Sequence, residues 1–120
     1  MRIFVGGSRD FTDYELLKSV LDKYEITKII TGDAKGADDL ADQYARSKEH
    51  LLCARRYLAH WDKYGRFAGV RRTKDAFDNE EIDRCILFYS GKVTKGTKHT
   101  ERIAEEHRVP VEIYGLPEDV

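Results

Sequence analysis

Only two cysteines occur in this chain of 120 residues, Cys53 and Cys85, each in an apolar run and without Cys-x-x-Cys or Cys/His spacing. A disulfide framework and a cysteine-based metal centre are therefore not expected, and both residues are read as core packing in a reduced, cytoplasmic protein with no metal and no cofactor. Charge of one sign is also missing, since 21 Lys and Arg stand against 22 Asp and Glu for a net charge of −1. Without a global positive field, a nucleic-acid polymer is disfavoured as a partner. No apolar run approaches the length of a membrane span, and the chain does not begin with a charged segment followed by an apolar stretch, so no membrane association is expected. Linkers, internal repeats and low-complexity tracts are absent too, and the expectation is one domain over residues 1–120.

What the chain does have is a small-residue turn repeated between strand-like and helix-like runs. Thr31-Gly32-Asp33-Ala34-Lys35-Gly36-Ala37-Asp38 follows the β-branched run 26–31 and opens a helix-like run from Ala37 to Lys48. Backbone N–H groups and the positive end of a helix meet at such a turn, which suits an anion and most often a phosphate. The arrangement recurs at Val5-Gly6-Gly7-Ser8-Arg9-Asp10 after strand-like Arg2 to Val5. It recurs again at Thr94-Lys95-Gly96-Thr97 before a helix-like run from Lys98 to His107. Gly6, Gly7, Ser8, Arg9, Gly32, Asp33, Ala34, Lys35, Gly36, Asp38, Lys95, Gly96 and Thr97 are accordingly candidate ligand contacts. Asp33 and Asp38 complicate the idea, because a carboxylate repels an anion unless it points away, caps the helix or binds ribose hydroxyls. Asp39 is read first as a helix-dipole residue, and Asp38 as either that or a ligand contact.

Thr12 with Glu15 forms a capping-box pattern, and Leu16, Leu17, Val20, Leu21 and Tyr24 recur at helical spacing behind it. Residues 51–57 are ambiguous between strand and helix and are read as a strand because the alternating rhythm needs one there. The clearest buried strand is Cys85 to Tyr89, and Val109 to Tyr114 supplies a last one that Pro110 places near an edge. Five strands alternating with helices predict a Rossmann-like three-layer α/β fold with a mostly parallel sheet, the turns lying at strand carboxyl ends where open parallel sheets bind ligands. Residues 60–72 combine aromatics, glycines and arginines with weak amphipathic order. There, Trp61 and Tyr64 offer stacking faces for a base, and Arg66 or Arg72 a paired contact to phosphate. The other reading packs Trp61 as a core anchor and leaves the arginines solvated.

Gly7-Ser8-Arg9-Asp10-Phe11, then Gly32-x-Ala34-x-Gly36-Ala37-Asp38-x-Leu40-Ala41, then Trp61-x-x-Tyr64-Gly65-Arg66-x-Ala68-Gly69-x-x-Arg72, then Gly96-Thr97 before an Ile-Ala helix, together resemble the YspA-like branch of the SLOG superfamily. The resemblance spans nearly the whole chain. It implies a Rossmann-like domain that binds nucleotides or nucleotide-derived ligands, with relatives among phosphoribohydrolases, nucleotide-signal sensors and DNA-processing proteins of the DprA type. The chain departs from the family pattern in carrying Asp33 where a second glycine is common, and Thr73 and Ala76 where an amide and a methionine are frequent. The glutamate of the phosphoribohydrolase pattern also falls one position late, at Glu101.

A binding module for a phosphorylated small molecule, a nucleotide or an ADP-ribose-like derivative, is therefore the first expectation. An enzyme cleaving an N-glycosidic or phosphate bond, with Glu101 or Asp38 as its acid/base group, is the second, and polymer binding the third. Removal of Arg72 or Arg9 is expected to weaken phosphate binding without loss of thermal stability. A bacterial or phage source and a homodimer that completes a shallow binding face are further expectations.

Overall fold

A computed structural model of the chain describes residues 1–47 and 52–117. Its elements run β1 (Arg2–Gly7), α1 (Tyr14–Leu21), β2 (Lys28–Gly32), α2 (Ala37–Arg46), β3 (Cys53–Tyr57), α3 (Trp61–Tyr64), a 3-10 turn (Gly65–Phe67), α4 (Ala68–Asn79), β4 (Arg84–Gly91), α5 (Lys95–Glu106) and β5 (Val111–Pro117). All strands are parallel and lie in the order β3-β2-β1-β4-β5. This is the α/β Rossmann-like arrangement expected, with β5 at one edge as Pro110 indicated. Lys48, at the expected end of the second helix, and Leu51, at the expected start of the third strand, lie outside the described residues.

Alternation along the central strands separates two cores. Ile3, Val5, Ile86 and Phe88 face α1 and α2, where they meet Leu17, Val20, Leu21, Ala41 and Ala45. Phe4, Cys85 and Leu87 face the other layer with Ala76 and Phe77 of α4 and Ile103 and Ala104 of α5. Successive strand side chains point to opposite faces, so continuous apolar runs such as Ile3 to Val5 and Cys85 to Phe88 suit strands covered on both sides. Each large apolar side chain buried there contributes roughly 1.5–3 kcal/mol.

Two local expectations are corrected, and a third segment is defined. The cap of α1 is Asp13, whose carboxylate accepts from the Leu16 N–H at 3.1 Å, so Thr12 and Glu15 do not form the expected capping box. Cys53 is exposed, because β3 is an edge strand with alternate residues open to solvent, whereas Cys85 is buried and its thiol is pushed far above its usual range by that burial and by the Glu101 charge. Residues 68–79 are an ordinary helix whose buried face is made of Ala68, Thr73, Ala76 and Phe77. Two alanines and a threonine, its hydroxyl given back to the Gly69 carbonyl at 3.1 Å, carry little apolar signal.

Candidate functional site

The strand order reverses direction between β1 and β4, and in open parallel sheets the crevice beyond such a switch is where ligands bind. The chain folds its first two turns tightly against this point. Gly7, at φ 146°, lies beside the Phe88 backbone of β4, where a Cβ would collide. Ser8 follows as a buried knot. Its N–H donates to the Phe88 carbonyl at 2.8 Å, its hydroxyl accepts from Asp10 N–H at 3.2 Å, and its carbonyl accepts from the N–H groups of Phe11 and Ala37, each at 3.2 Å. Gly36 caps α2 at φ 77°, and a side chain there would strike the carbonyls of Ser8 and Arg9. The β1 and β2 turns are thus in direct contact, and the Ala37 N–H is engaged within the chain rather than open to an anion.

The floor of the crevice is acidic. Asp38 is 4% exposed, its Oδ2 accepts from the Ala34 N–H at 3.1 Å, and burial raises its pKa to about 6 against the opposing pull of Arg72, the Ala34 N–H and Arg56. Asp33 turns away from it. Its Oδ1 takes the Arg72 guanidinium at 2.5 Å and its Oδ2 the Ala59 N–H at 3.1 Å. Burial pushes Asp33 up, but the Ala59 N–H and Arg72 outweigh it and hold the carboxyl below its ordinary value. A Cβ on Gly32 would lie 2.5 Å from Asp38 Oδ2 and 2.8 Å from Arg72 Cζ, which is why glycine ends β2. Arg56 of β3 closes the turn from behind, donating to the carbonyl of Gly32 at 2.8 Å and to Asp39 at 2.8 Å.

Opposite this floor stand α5 and the aromatic rim. Thr94 caps α5 by accepting from Thr97 N–H at 3.2 Å, which leaves Lys95 and Gly96 at the mouth. Trp61 is 49% exposed and Phe67 62%, with Arg9 over the Trp61 ring at 5.9 Å and Arg66 over the Phe67 ring at 5.0 Å. Trp61 is therefore not a core anchor. Together these elements enclose a cavity of about 690 Å³, and a smaller recess of about 280 Å³ adjoins it along Arg9, Asp33, Ala34, Lys35, Trp61 and Arg72.

Of the candidate residues, Gly6, Gly7, Ser8, Arg9, Gly32, Ala34, Asp38, Trp61, Arg66, Arg72, Lys95, Gly96 and Thr97 line the larger cavity, and Asp33 and Lys35 the recess. Gly36 lines neither and serves the packing of the turns; Glu101 also lines neither. Arg72 is not the free cation the sequence suggested: its side chain is 15% exposed, bound to Asp33, and its buried Nε has no hydrogen-bond partner among the described residues. The family model for the YspA, cpYpsA-related SLOG family matches residues 1–64. The chain belongs to that SLOG family. A relative, the Gene 61 protein of Mycobacterium phage D29, is 30% identical over 122 residues, covering 95% of this chain and 96% of its own length. The family match covers the β1 and β2 turns and Trp61, while the α5 turn of this SLOG protein lies beyond it.

Sequence reasoning passed over Phe67, Val70, His99, Thr100 and Ile103, which also line the cavity with Thr94 of the third turn. The spacing of Thr97, Thr100 and Ile103 places them on one helix face and was a usable signal. Arg56 gave none, because its role depends on strand pairing that sets Thr31 beside it. Among the described residues no three His, Cys, Asp or Glu side chains come together as a metal site needs, and no helix is long and apolar enough to cross a membrane.

Proposed function

We propose that this chain is a one-domain cytoplasmic binding protein, a sensor, carrier or sequestering module, for a nucleotide or a nucleotide-derived ligand such as an ADP-ribose-like molecule. The observation that carries this reading is the cavity of about 690 Å³ at the sheet's switch point, within the range of small-molecule sites and joining three small-residue turns to an aromatic rim. SLOG membership supports a nucleotide-related ligand. Trp61 and Phe67 give a ring a face to stack on, and Lys95 with the capped start of α5 gives a phosphate a positive end to approach. The open rim is also where a second copy would complete the site, and the D29 relative favours a phage source.

The test is calorimetry of the full chain against nucleoside mono- and diphosphates, NAD and ADP-ribose, with chromatography of the same samples. Saturable binding of at least one, with the ligand recovered intact, is expected. Silence across the panel refutes the reading. A second reading, hydrolysis of a nucleotide, has one observation in its favour: a carboxyl in the cavity, Asp38, with its pKa raised to about 6, suited to acid/base work near neutral pH. Steady product formation that is lost in Asp38→Asn would establish it instead.

A further inference from the structure

The cavity is electrically divided, and the division orients any ligand. On the β2 side the two guanidiniums are committed, Arg72 to Asp33 and Arg56 to the Gly32 carbonyl and Asp39. What that floor presents is the Asp38 carboxylate, wedged between strand-end glycines; a Cβ on Gly6 would sit 3.6 Å from Oδ1. The Ala34 N–H accounts for Oδ2. Among the described residues no donor reaches Oδ1 in a side chain that is 4% exposed and lines the cavity. A hydroxyl that fills the cavity beside Oδ1 gains a charge-assisted hydrogen bond there, and a phosphate cannot supply the donor. A neutral hydroxyl can. The phosphate then belongs on the far side, at Lys95 and the start of α5.

Dinucleotide-binding sheets place their ribose-reading acid near the end of the second strand. Asp33 holds that place here, but Arg72 and the Ala59 N–H occupy its two oxygens. We propose, resting on the nucleotide reading above, that Asp38 takes over this role: Oδ1 accepts a hydrogen bond from a ribose hydroxyl, and the site selects ribonucleotide-type ligands over their deoxy counterparts.

The experiment titrates the full chain and its Asp38→Asn variant with AMP and ADP-ribose, each alongside its 2′-deoxy and 3′-deoxy forms. The wild type should bind the ribo form about tenfold or more tightly than one deoxy form, the expected worth of a hydrogen bond to a charged acceptor. Asp38→Asn should weaken the ribo form to the level of that deoxy form and leave the deoxy affinity within a few fold. Equal wild-type affinity for ribo and both deoxy forms overturns the assignment. So does unchanged or tighter ribo binding by Asp38→Asn, which would mean that the carboxylate only repels phosphate. The wild-type comparison decides even where the variant does not fold. Binding without discrimination removes Asp38 alone from the account, whereas no binding of any nucleotide removes the nucleotide reading and this proposal together.

Discussion

Arg72→Ala should destabilise the protein, although a phosphate ligand free in solvent could be removed without cost. The guanidinium bonds Asp33 at 2.5 Å, is 15% exposed, and holds down the pKa values of both Asp33 and Asp38. Breaking a fully buried pair from one side costs about 3–5 kcal/mol. Asp33 is 27% exposed at its side chain and Asp38 can escape by protonation, so about 2–3 kcal/mol is the reasonable share here. For a chain of this size each kcal/mol lowers Tm by roughly 3–6 °C, giving a fall on the order of 10 °C at pH 7. Thermal unfolding followed by circular dichroism measures it. The loss should shrink at pH 5, where the neutral form of Asp38 is more populated, and a cycle with Asp33→Asn should return a coupling between the two sites. A Tm within about 2 °C of wild type at pH 7, with no coupling in the cycle, would refute the clamp and restore Arg72 as a free phosphate ligand.

Gly36→Ala should lower stability by about 2 kcal/mol or more in chemical denaturation, since the new side chain must adopt φ 77° and press on the Ser8 and Arg9 carbonyls; an unchanged midpoint would show that the two turns can part freely. Asp38→Asn should raise Tm, and more at pH 8 than at pH 5. A carboxyl raised by burial from 3.8 to about 6, against the pull of Arg72 and Arg56, binds its proton more tightly in the folded state, so stability falls as pH rises between those values. An equal gain at both pH values would contradict that sign. His107, whose Nδ1–H donates to the Ile103 carbonyl and whose Nε2–H donates to Asp78, each at 2.8 Å, has its pKa raised by those contacts; its contribution is full below the unfolded value of 6.5 and is lost as pH rises through the folded one. His107→Gln should therefore cost more Tm at pH 5.5 than at pH 8.5, and the reverse order would exclude the charged pair.

The frame was legible because buried parallel strands and their turns leave local marks. Ile3 to Val5, Ile29 with Ile30, and Cys85 to Phe88 announce strands by apolar continuity, and Gly7 and Gly36 announce the places where backbones must touch. The third strand was read from rhythm more than from its residues, since Cys53 to Tyr57 lies at an edge and carries two arginines. The electrostatics of the site were not legible. Asp33 and Arg72 are 39 residues apart, Arg56 and Gly32 24 apart, and no local pattern says that a charge in one helix cancels a charge in a distant turn. The same blindness placed the α1 cap at Thr12, because Thr and Asp side by side compete for one role and only the path of the chain decides between them.

The strand order also dictates when the cavity can exist. As the chain leaves the ribosome, β1, β2 and β3 pair in the order of synthesis, each across a connection of modest length. β4 must instead return to the opposite side of β1, pairing Ile3 with Arg84 across about 80 residues of sequence, and such non-local pairing is slow. Until it does, Phe88 offers no carbonyl to Ser8 and α5 has no place to stand. A nascent chain halted after α3 would therefore carry the family-matched sequence and the acidic floor but no enclosed cavity, and ligand capture begins only once the last third of the protein has been made.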